Sequence, residues 1–403
     1  MKRSKGSSRR DFLKTAALTG AGMGIAGGIG APIARAENPG AAKVSNKVPR
    51  KQLGTTGEEI PILLLGCAQK FDPKYDRILH RAFAEGADYL DTALAYADGQ
   101  SHLTIAPFIK QIGDRSKLWI TSKGSSKDAT VATFSRDLDH CLEQLETDYL
   151  DLYFMHFVDD PAFLEPEFIA MGKTMRMSKK TRFFGFSCHG DRQVELMNKA
   201  AEVGGIDAIM FRYNFAKYGD LQLNQAIDRC RKAGIGLIAM KTQNSVPDDQ
   251  ELVGRFRSSD FTLAQAKLKA VWADERIDAA VSHMDNTKKL AENIAAAKSP
   301  IQLSMAEFQQ LQRHASTTAA RSCQGCSHIC ESLFEEPAKV AASLRYLMYH
   351  ECYGETERAR TLFGRLSPEE RAFGAVCFDR ATEACPQGIE IAARLLEAER
   401  ALG

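Results

Sequence analysis

The sequence predicts a (β/α)8 barrel, or TIM barrel, followed by a small all-α C-terminal domain. Eight short apolar runs alternate with amphipathic helical stretches between about residues 59 and 297, which is the rhythm of βα units around a parallel sheet. The strand patterns stop after Ser299-Pro300, and helical patterns follow. Six of the ten cysteines fall after residue 322, which marks the end of the chain as chemically distinct.

The N-terminal segment has the parts of an export signal in their usual order. SRRDFLK carries the arginine pair Arg9 and Arg10 of a twin-arginine signal. A charge-free run rich in Ala and Gly follows, and Ala34-Arg35-Ala36 is a small-x-small cleavage signature. We therefore predict a cleaved signal peptide over residues 1–36, recognised by the twin-arginine export machinery, and a periplasmic or otherwise exported protein. A basic tail without an export role is the alternative interpretation.

The charge balance bears on the classes of partner. The full chain carries a net charge of +2, and residues 1–36 hold seven Lys or Arg against one acid, so the mature chain stands at −4. This leaves no basic patch for nucleic acid, and we expect no such partner. No later apolar run is long enough to cross a bilayer, so we expect no stable membrane span after cleavage.

The barrel prediction depends on the strand count. The eight candidate strands read EIPILLLGCA, DYLDTAL, KLWITSK, YLDLYFMH, TRFFGFSC, DAIMFRYN, GIGLIAMK and IDAAVSHM. Helices are predicted between them, over residues 75–85, 133–145, 192–203, 221–233 and 262–273. Eight units in this length fit a barrel better than a doubly wound sheet. No G-x-G-x-x-G follows a strand, so a Rossmann nucleotide site has no support.

The domain boundaries follow from these patterns. We predict a linker over residues 37–47, the barrel over 48–300 and a helical cysteine-rich domain over 301–403. Helices are expected in that domain over residues 306–314, 337–351 and 356–363. Another is expected to begin at Ser367, because Glu370 completes a capping box and a proline takes the first turn.

Four polar residues fall at the ends of three successive predicted strands: Asp91 and Tyr96 in DTALAY, Lys123 in ITSKG and His156 in FMHF. Barrel active sites lie at the C-terminal strand ends, so these side chains are expected to converge. A tyrosine hydroxyl donates a proton to a forming alkoxide if a nearby ammonium lowers its pKa, and a carboxylate holds that ammonium. Histidine polarises the carbonyl oxygen. Taken singly, Asp91 as a turn cap and His156 as an ordinary polar residue are the competing interpretations.

Several motifs together resemble the aldo/keto reductase superfamily, over residues 48 to about 297. RKQLGTTGEEIPILLLG resembles the family's N-terminal hairpin, and DTALAY, ITSKG and DLYFMH resemble its three tetrad motifs. FFGFSCH resembles the fifth-strand signature, and KLAEN resembles a segment that touches the cofactor adenine. The resemblance implies the same barrel, a catalytic tetrad of Asp91, Tyr96, Lys123 and His156, and Tyr96 as the general acid.

The same resemblance implies a nicotinamide cofactor, usually NADP(H), lying across the barrel mouth. The cofactor-binding positions it indicates are Ser187, Lys289, Glu292 and Asn293. The resemblance implies that Lys289 would meet a 2′-phosphate in place of the usual Arg, as a point charge. The chain departs from the family at Cys188, where Asn is usual, in the sixth strand, which lacks the customary Gln, and at Met240-Lys241, which replaces a stacking aromatic.

The cysteine spacing near the C-terminus indicates an iron–sulfur site. Three cysteines lie close together in RSCQGCSHICES, and a distant Cys-Pro pair stands in ACPQGIEI, as in ferredoxins. The segment resembles a helical ferredoxin-like domain of some aldo/keto reductases, in which two four-cysteine motifs exchange their last ligands. Here the ligands of one cluster are incomplete and those of the other remain. The resemblance therefore implies one 4Fe-4S cluster, held by Cys323, Cys326, Cys330 and Cys385.

Two other uses of these cysteines stay open from sequence. Six thiols in an oxidising compartment suit three disulfides, and four suit a structural zinc site. Cys352 and Cys377 have no assignment, and Cys377 is expected within a helix, as a substitute ligand or a core residue. His328, between two proposed ligands, is expected to be exposed or to contact the ligands from outside.

The motifs together predict an exported oxidoreductase that interconverts a carbonyl and an alcohol on a small-molecule substrate. The twin-arginine route carries folded proteins, so cofactors loaded in the cytoplasm travel with the chain. Free NADPH is not expected outside the cytoplasm, and we therefore expect the cluster to exchange electrons with a redox partner protein. The alternative is a non-catalytic nucleotide-binding or scaffold barrel with a structural cysteine domain. The loops around residues 157–165 and 243–261 carry no recognition motif that names a substrate.

Overall fold

The computed structural model describes residues 46–125, 129–190, 192–243 and 255–403, and these belong to one compact unit. The predicted signal peptide and nearly all of the predicted linker lie outside the described residues. No helix within the described residues is both long enough and apolar enough to cross a membrane.

A β-hairpin precedes the barrel. Strands β1 (Arg50–Gln52) and β2 (Glu59–Pro61) pair in antiparallel register. The Arg50 guanidinium donates to both carboxylate oxygens of Asp88 at 2.8 Å, immediately before a barrel strand begins. The Lys51 ammonium donates to the carbonyl of Ile277, close to the start of another strand. The hairpin therefore lies at the N-terminal end of the barrel.

Eight parallel strands close into a barrel in the order β10-β3-β4-β5-β6-β7-β8-β9. They are β3 (Leu63–Gly66), β4 (Tyr89–Asp91), β5 (Trp119–Gly124), β6 (Leu150–Met155), β7 (Thr181–Cys188), β8 (Ala208–Arg212), β9 (Gly236–Met240) and β10 (Ala279–His283). The predicted (β/α)8 fold and its eight strands are confirmed.

Each barrel strand is followed by a helix. These are α1 (Arg77–Ala84), α2 (Ser101–Ile112), α3 (Val131–Leu145), α4 (Pro166–Met177), α5 (Gln193–Val203), α6 (Leu221–Lys232), α7 (Leu263–Ala273) and α8 (Thr287–Lys298). Side-chain caps fix several starts: Asp76 caps α1, and Thr130 and Thr262 form capping boxes on α3 and α7. The five helices predicted in this region are found within about two residues of their expected ends.

The barrel is filled on both sides of its strands. One buried cluster, which includes Leu64, Leu152, Phe154 and Ile238, alternates along the strands with residues that pack against the outer helices. Toward the hairpin, Trp119 stacks between Tyr89 and Phe183, with ring centroids 5.6 and 5.8 Å apart. The polar side chains lie at the other end of the barrel, where the strands reach their C-terminal ends.

Helices dominate the chain after the barrel. They are α9 (Met305–Thr318), α10 (Ser327–Cys330), α11 (Val340–Tyr353), α12 (Thr356–Gly364), α13 (Asp379–Ala384) and α14 (Ile391–Leu402). Phe308 and Leu311 of α9 share a buried cluster with barrel residues such as Phe215. The later helices build their own core, with Leu347 and Leu395 among its members. The predicted small helical region is confirmed.

One predicted helix is wrong. The capping box at Ser367 does form, because Ser367 N donates to Glu370 Oε2 at 2.8 Å and Glu370 N donates to Ser367 Oγ at 3.3 Å. The chain nevertheless makes only a turn there. The Glu370 carbonyl accepts a hydrogen bond from Lys339 N at 2.9 Å, so it is not used in the backbone hydrogen bonds that would continue a helix. A cap selects a start, and tertiary hydrogen bonds decide whether a helix follows.

Candidate active site

The C-terminal strand ends bring the four predicted catalytic residues together. Asp91 is the last residue of β4, Lys123 lies near the end of β5, and His156 follows β6. Tyr96 stands in the turn after β4. Parallel strands present these ends at one rim of the barrel, which explains how residues far apart in sequence meet.

Lys123 is the centre of the group. Its ammonium donates to Asp91 Oδ1 at 2.6 Å, to the Thr92 carbonyl at 2.8 Å and to the Tyr96 hydroxyl at 3.5 Å. The side chain is only 1% exposed. Burial acts to lower the pKa of Lys123, but Asp91 and Tyr96 outweigh it, and the pKa is raised. The ammonium therefore stays charged, and three partners fix its position.

Tyr96 lies against this cation. The Lys123 ammonium is 4.8 Å from the centroid of the tyrosine ring. Burial raises the pKa of Tyr96 more than Lys123 lowers it, so the expectation of a net lowering is wrong. The Tyr96 hydroxyl is thus protonated at neutral pH and available as a proton donor.

His156 supplies a neutral imidazole beside the tyrosine. The two rings lie edge to face, with centroids 5.6 Å apart. Burial, and then the charges of Lys123 and His189, lower the pKa of His156 well below its usual value. The Phe157 ring stacks on the imidazole at 3.7 Å. A neutral imidazole at this position can orient a carbonyl oxygen without carrying charge.

The predicted cofactor positions fall in two places. Ser187 lies beside the tetrad, because its hydroxyl oxygen accepts from Phe157 N at 3.2 Å. Lys289, Glu292 and Asn293 lie on α8, directly after the last barrel strand. Glu292 contacts Thr262 at the N-cap of α7, and Asn293 contacts Ser282 of β10.

The residues on α8 differ in accessibility. Lys289 is 52% exposed and pairs with Asp285 at 2.8 Å. Glu292 is half-buried and accepts from the Thr262 hydroxyl. Asn293 is buried, and its amide donates to Ser282 at 3.0 Å. Lys289 is therefore the most open of the three to a ligand.

A family comparison agrees with this geometry. A model of the aldo/keto reductase family matches residues 66–246. Over these residues the barrel is similar to that family. Among curated relatives, the chain is 27% identical to an aldo-keto reductase of Gibberella moniliformis over 40% of this chain and 50% of that protein. It is 28% identical to an aldo-keto reductase of Bacillus subtilis over 34% of this chain and 42% of that protein. The chain spans about half the length of the curated relatives it matches.

Solved aldo-keto reductase structures share the barrel. A thermostable aldo-keto reductase, solved with the inhibitor epalrestat, is 26% identical, with a TM-score of 0.54 over 66% of this chain and 99% of that one. An aldo-keto reductase from Klebsiella pneumoniae, solved in complex with NADPH, is 21% identical, with a TM-score of 0.52 over 67% of this chain and 95% of that one. The latter likeness shows the fold.

Two cations lie at the mouth of the barrel that the sequence did not single out as site residues. Arg212 ends β8 and is 8% exposed. Lys241 follows β9 with φ of +58°, a backbone conformation uncommon outside glycine. Both positions were noted in sequence only as departures from the family pattern. Their position beneath the C-terminal helices is a tertiary feature that no local motif signals.

The four predicted cluster ligands lie around one cavity. Cys323, Cys326, Cys330 and Cys385 line it together with apolar side chains such as Ile329 and Leu344. Burial, and further the neighbouring Cys326 and Cys385, raise the pKa of Cys323 to about 11. The structure thus brings together thiols that are up to 62 residues apart.

All ten cysteines fall within the described residues, and none of them forms a disulfide. Across the described ranges, no three His, Cys, Asp or Glu side chains gather as ligands of one metal ion. Cys377 is exposed and precedes α13, so its expected place within a helix is wrong. Cys352 is half-buried in α11, and His328 is exposed, as one of the expectations had it.

Proposed function

We propose that this protein is an exported oxidoreductase that interconverts a carbonyl and an alcohol on a small-molecule substrate. The observation that carries the proposal is the buried array in which Asp91 holds Lys123, and Lys123 approaches the protonated Tyr96 hydroxyl. The match of residues 66–246 to the aldo/keto reductase family supports the reaction class.

The tetrad divides the proton chemistry among its members. In carbonyl reduction the Tyr96 hydroxyl hydrogen moves to the substrate oxygen as that oxygen gains negative charge. Lys123 stabilises the tyrosinate oxygen that remains, and Asp91 keeps Lys123 charged and in place. His156 is placed to donate a hydrogen bond to the same substrate oxygen and to orient the carbonyl. In the alcohol direction the Tyr96 oxygen takes the proton back.

A nicotinamide cofactor, when bound, supplies or accepts the hydride. The residues present fit such a group, since Lys289 is exposed on the first turn of α8 at the barrel mouth, and Ser187 lies beside the tetrad. Lys289 would meet a 2′-phosphate, which favours NADP(H). Glu292 and Asn293 would contact the nucleotide from the same helix. The Klebsiella pneumoniae relative that was solved with NADPH supports this choice.

The cysteine-lined cavity fits one 4Fe-4S cluster. Four thiols around an apolar cavity suit a cluster, whose cysteines ligate separate iron atoms. A tetrahedral zinc ion on the same four thiols is the alternative, and metal analysis distinguishes the two. A bound cluster would supply one-electron transfer, and Cys323, Cys326, Cys330 and Cys385 would hold it. A redox partner protein would then connect it to electron donors outside the cytoplasm.

Export by the twin-arginine route remains a prediction from residues 1–36. It is consistent with a barrel and a metal cluster that must be folded before they are carried. Immunoblotting of periplasmic and cytoplasmic fractions tests it, with Arg9→Lys/Arg10→Lys as the variant. We expect the variant to stay in the cytoplasm, and equal export of the two proteins would contradict the prediction.

Hydride transfer tests the barrel's role. Anaerobically purified protein is mixed with NADPH and a panel of aldehydes and ketones, and nicotinamide absorbance is followed. We expect Tyr96→Phe to lower the rate by about 10²- to 10⁴-fold, because the proton donor is lost. Tyr75→Phe is the matched control, since Tyr75 is 59% exposed, and it should retain the wild-type rate. No turnover by wild type, or equal rates for Tyr96→Phe, would favour the non-catalytic barrel.

Iron and acid-labile sulfide analysis tests the cluster. We expect about four of each per chain in the wild type. Cys326→Ser should lower both, whereas Cys352→Ser, which alters a half-buried thiol of α11, should not. Zinc in place of iron, or six blocked thiols without metal, would assign the cysteines a structural role and leave the barrel's chemistry to be explained without them.

A further inference from the structure

The loop between the first two predicted cluster ligands contacts the end of a barrel strand. Arg212 is the last residue of β8, and its Nη1 donates to the Gln324 carbonyl at 2.8 Å and to Gln324 Oε1 at 2.9 Å. Gln324 lies between Cys323 and Cys326 in the sequence. The barrel therefore contacts the cysteine-rich end at the loop that would carry two of the four thiolates.

A second arginine, Arg345 of α11, contacts the same loop at Gly325. A Cβ atom added to Gly325 would lie 3.3 Å from Arg345 Cδ and 3.3 Å from Arg345 Nη1. Gly325 has φ of +82°, in the left-handed region that glycine adopts without a steric penalty. Because this residue has no side chain, the loop backbone lies directly against the arginine.

Both arginines lie next to the cavity that the four cysteines line. Cys323 and Gln324 line that cavity, and they also line an adjoining one whose lining includes Arg212 and Arg345. Cys323 is therefore the predicted ligand that the two cavities share. A cluster held by Cys323 would have both guanidinium groups in its immediate surroundings.

The hydrogen-bond partners of the two arginines within the described residues are uncharged. Arg212 is 8% exposed, and its Nε is buried without a hydrogen-bond partner. Arg345 is half-buried and donates to the Tyr349 hydroxyl at 3.0 Å. Burying a guanidinium without a counter-charge is unfavourable. The thiolates of a cluster would supply that counter-charge to both residues.

The charges around a cluster influence how readily it is reduced. Reduction adds one electron, and with it one negative charge, to the cluster and its thiolates, and no bond to the protein breaks. A nearby cation stabilises the form that carries the extra electron, so it raises the reduction potential. The effect is larger for buried cations, because water screens their charge less.

We propose that the positive charges of Arg212 and Arg345 raise the reduction potential of the 4Fe-4S cluster and so favour electron entry from the redox partner protein. The inference rests on the proposed function, since it takes the four cysteines as the ligands of that cluster. Arg212 extends from β8 itself. The residue that adjusts the potential therefore also joins the cluster loop to the barrel rim that carries the tetrad.

A redox titration of the anaerobically purified full-length protein, with dithionite as reductant and EPR as the readout, tests the assignment. We expect Arg212→Gln and Arg345→Gln each to shift the reduction equilibrium about tenfold toward the oxidised cluster, a potential about 59 mV lower for a one-electron couple. Arg345→Lys keeps the charge and should stay close to the wild-type potential. Arg50→Gln is the control, because it removes the same charge from the hairpin at the opposite end of the barrel.

Iron and acid-labile sulfide are measured in each protein before the titration. Arg345→Gln, which alters a half-buried side chain, provides the test if Arg212→Gln does not fold or loses the cluster. Wild-type potentials in variants that keep the cluster would overturn the inference and leave the proposed function intact. Loss of the cluster from both variants would also overturn it, and would assign the arginines to holding the loop. Wild type without iron or sulfide would overturn the cluster itself, and this inference with it.

Discussion

Two buried cations at the same barrel mouth differ in their partners: Lys123 has a carboxylate within the fold, and Arg212 has none among the described residues. Lys123 is 1% exposed and lies 2.6 Å from Asp91, so the protein supplies its counter-ion. Arg212 is 8% exposed and has no carboxylate partner among the described residues. A carboxylate of the same rim balances Lys123, whereas Arg212 shares a cavity lining with Cys323, where the proposed cluster would supply the negative charge.

The largest expected effect comes from removing the internal counter-ion. Asp91→Asn leaves the Lys123 ammonium buried and unpaired, which should lower the free energy of unfolding by about 3–5 kcal/mol. The pKa of Lys123 should fall, since Asp91 is the leading cause that raises it. Urea unfolding monitored by circular dichroism measures the loss. An exposed ion pair stabilises a protein by about 1 kcal/mol or less. A loss no larger than that would show that Asp91 and Lys123 are not the buried, coupled pair described above.

The next effect is a pH dependence that originates at His156. Its folded pKa lies well below the usual 6.5, so the unfolded state binds the extra proton first. The stabilising contribution is therefore complete above pH 6.5 and is lost as the pH falls below that value. The loss per pH unit approaches about 1.4 kcal/mol for one group.

The measurement is the free energy of unfolding from pH 7.5 to pH 5 in wild type and in His156→Gln. The variant should show a shallower decline, although His189, which shares the lowered pKa, keeps part of the slope in both proteins. Identical slopes would mean that His156 titrates normally in the folded protein, and the neutral imidazole assigned to it would be wrong.

The smallest expected effect on the free energy of unfolding comes from replacing Arg212. Arg212→Met removes a buried charge that has no internal partner and loses the hydrogen bonds to Gln324. Removal of the buried charge stabilises the protein, and loss of the hydrogen bonds destabilises it. The two effects oppose each other, so the free energy of unfolding should stay within about 1 kcal/mol of wild type. Lys123→Met, which strands Asp91, is the contrasting variant and should destabilise strongly. Equal destabilisation by the two changes would remove the distinction between the sites.

The sequence predicted the barrel and the tetrad because their signals are local. Asp91 and Lys123 each lie at the end of an apolar run, and that position in a βα unit predicts a place in the active site. The direction of the Tyr96 pKa was not predictable, since it depends on how burial competes with a single charge. The burial of Arg212 and Lys241 was not predictable, because the residue of helix α11 that covers them, Arg345, lies 133 and 104 residues further along the chain.

The cysteine-rich end shows the same division. The spacing of three cysteines and a Cys-Pro pair identified the thiols that line one cavity. The place of Cys377 and the turn at Ser367 were mispredicted, because the tertiary contact from Lys339 to Glu370 has no counterpart in the local pattern. Motifs located the groups, and long-range packing decided their surroundings.

The most direct test of the central claim measures kcat/KM for benzaldehyde with NADPH in wild type, Arg212→Gln and Lys123→Met. We predict that Arg212→Gln still reduces benzaldehyde and that Lys123→Met does not. Loss of benzaldehyde reduction in Arg212→Gln would contradict the distinction between the two buried cations. Undiminished reduction by Lys123→Met would contradict the assignment of the balanced one to the chemistry.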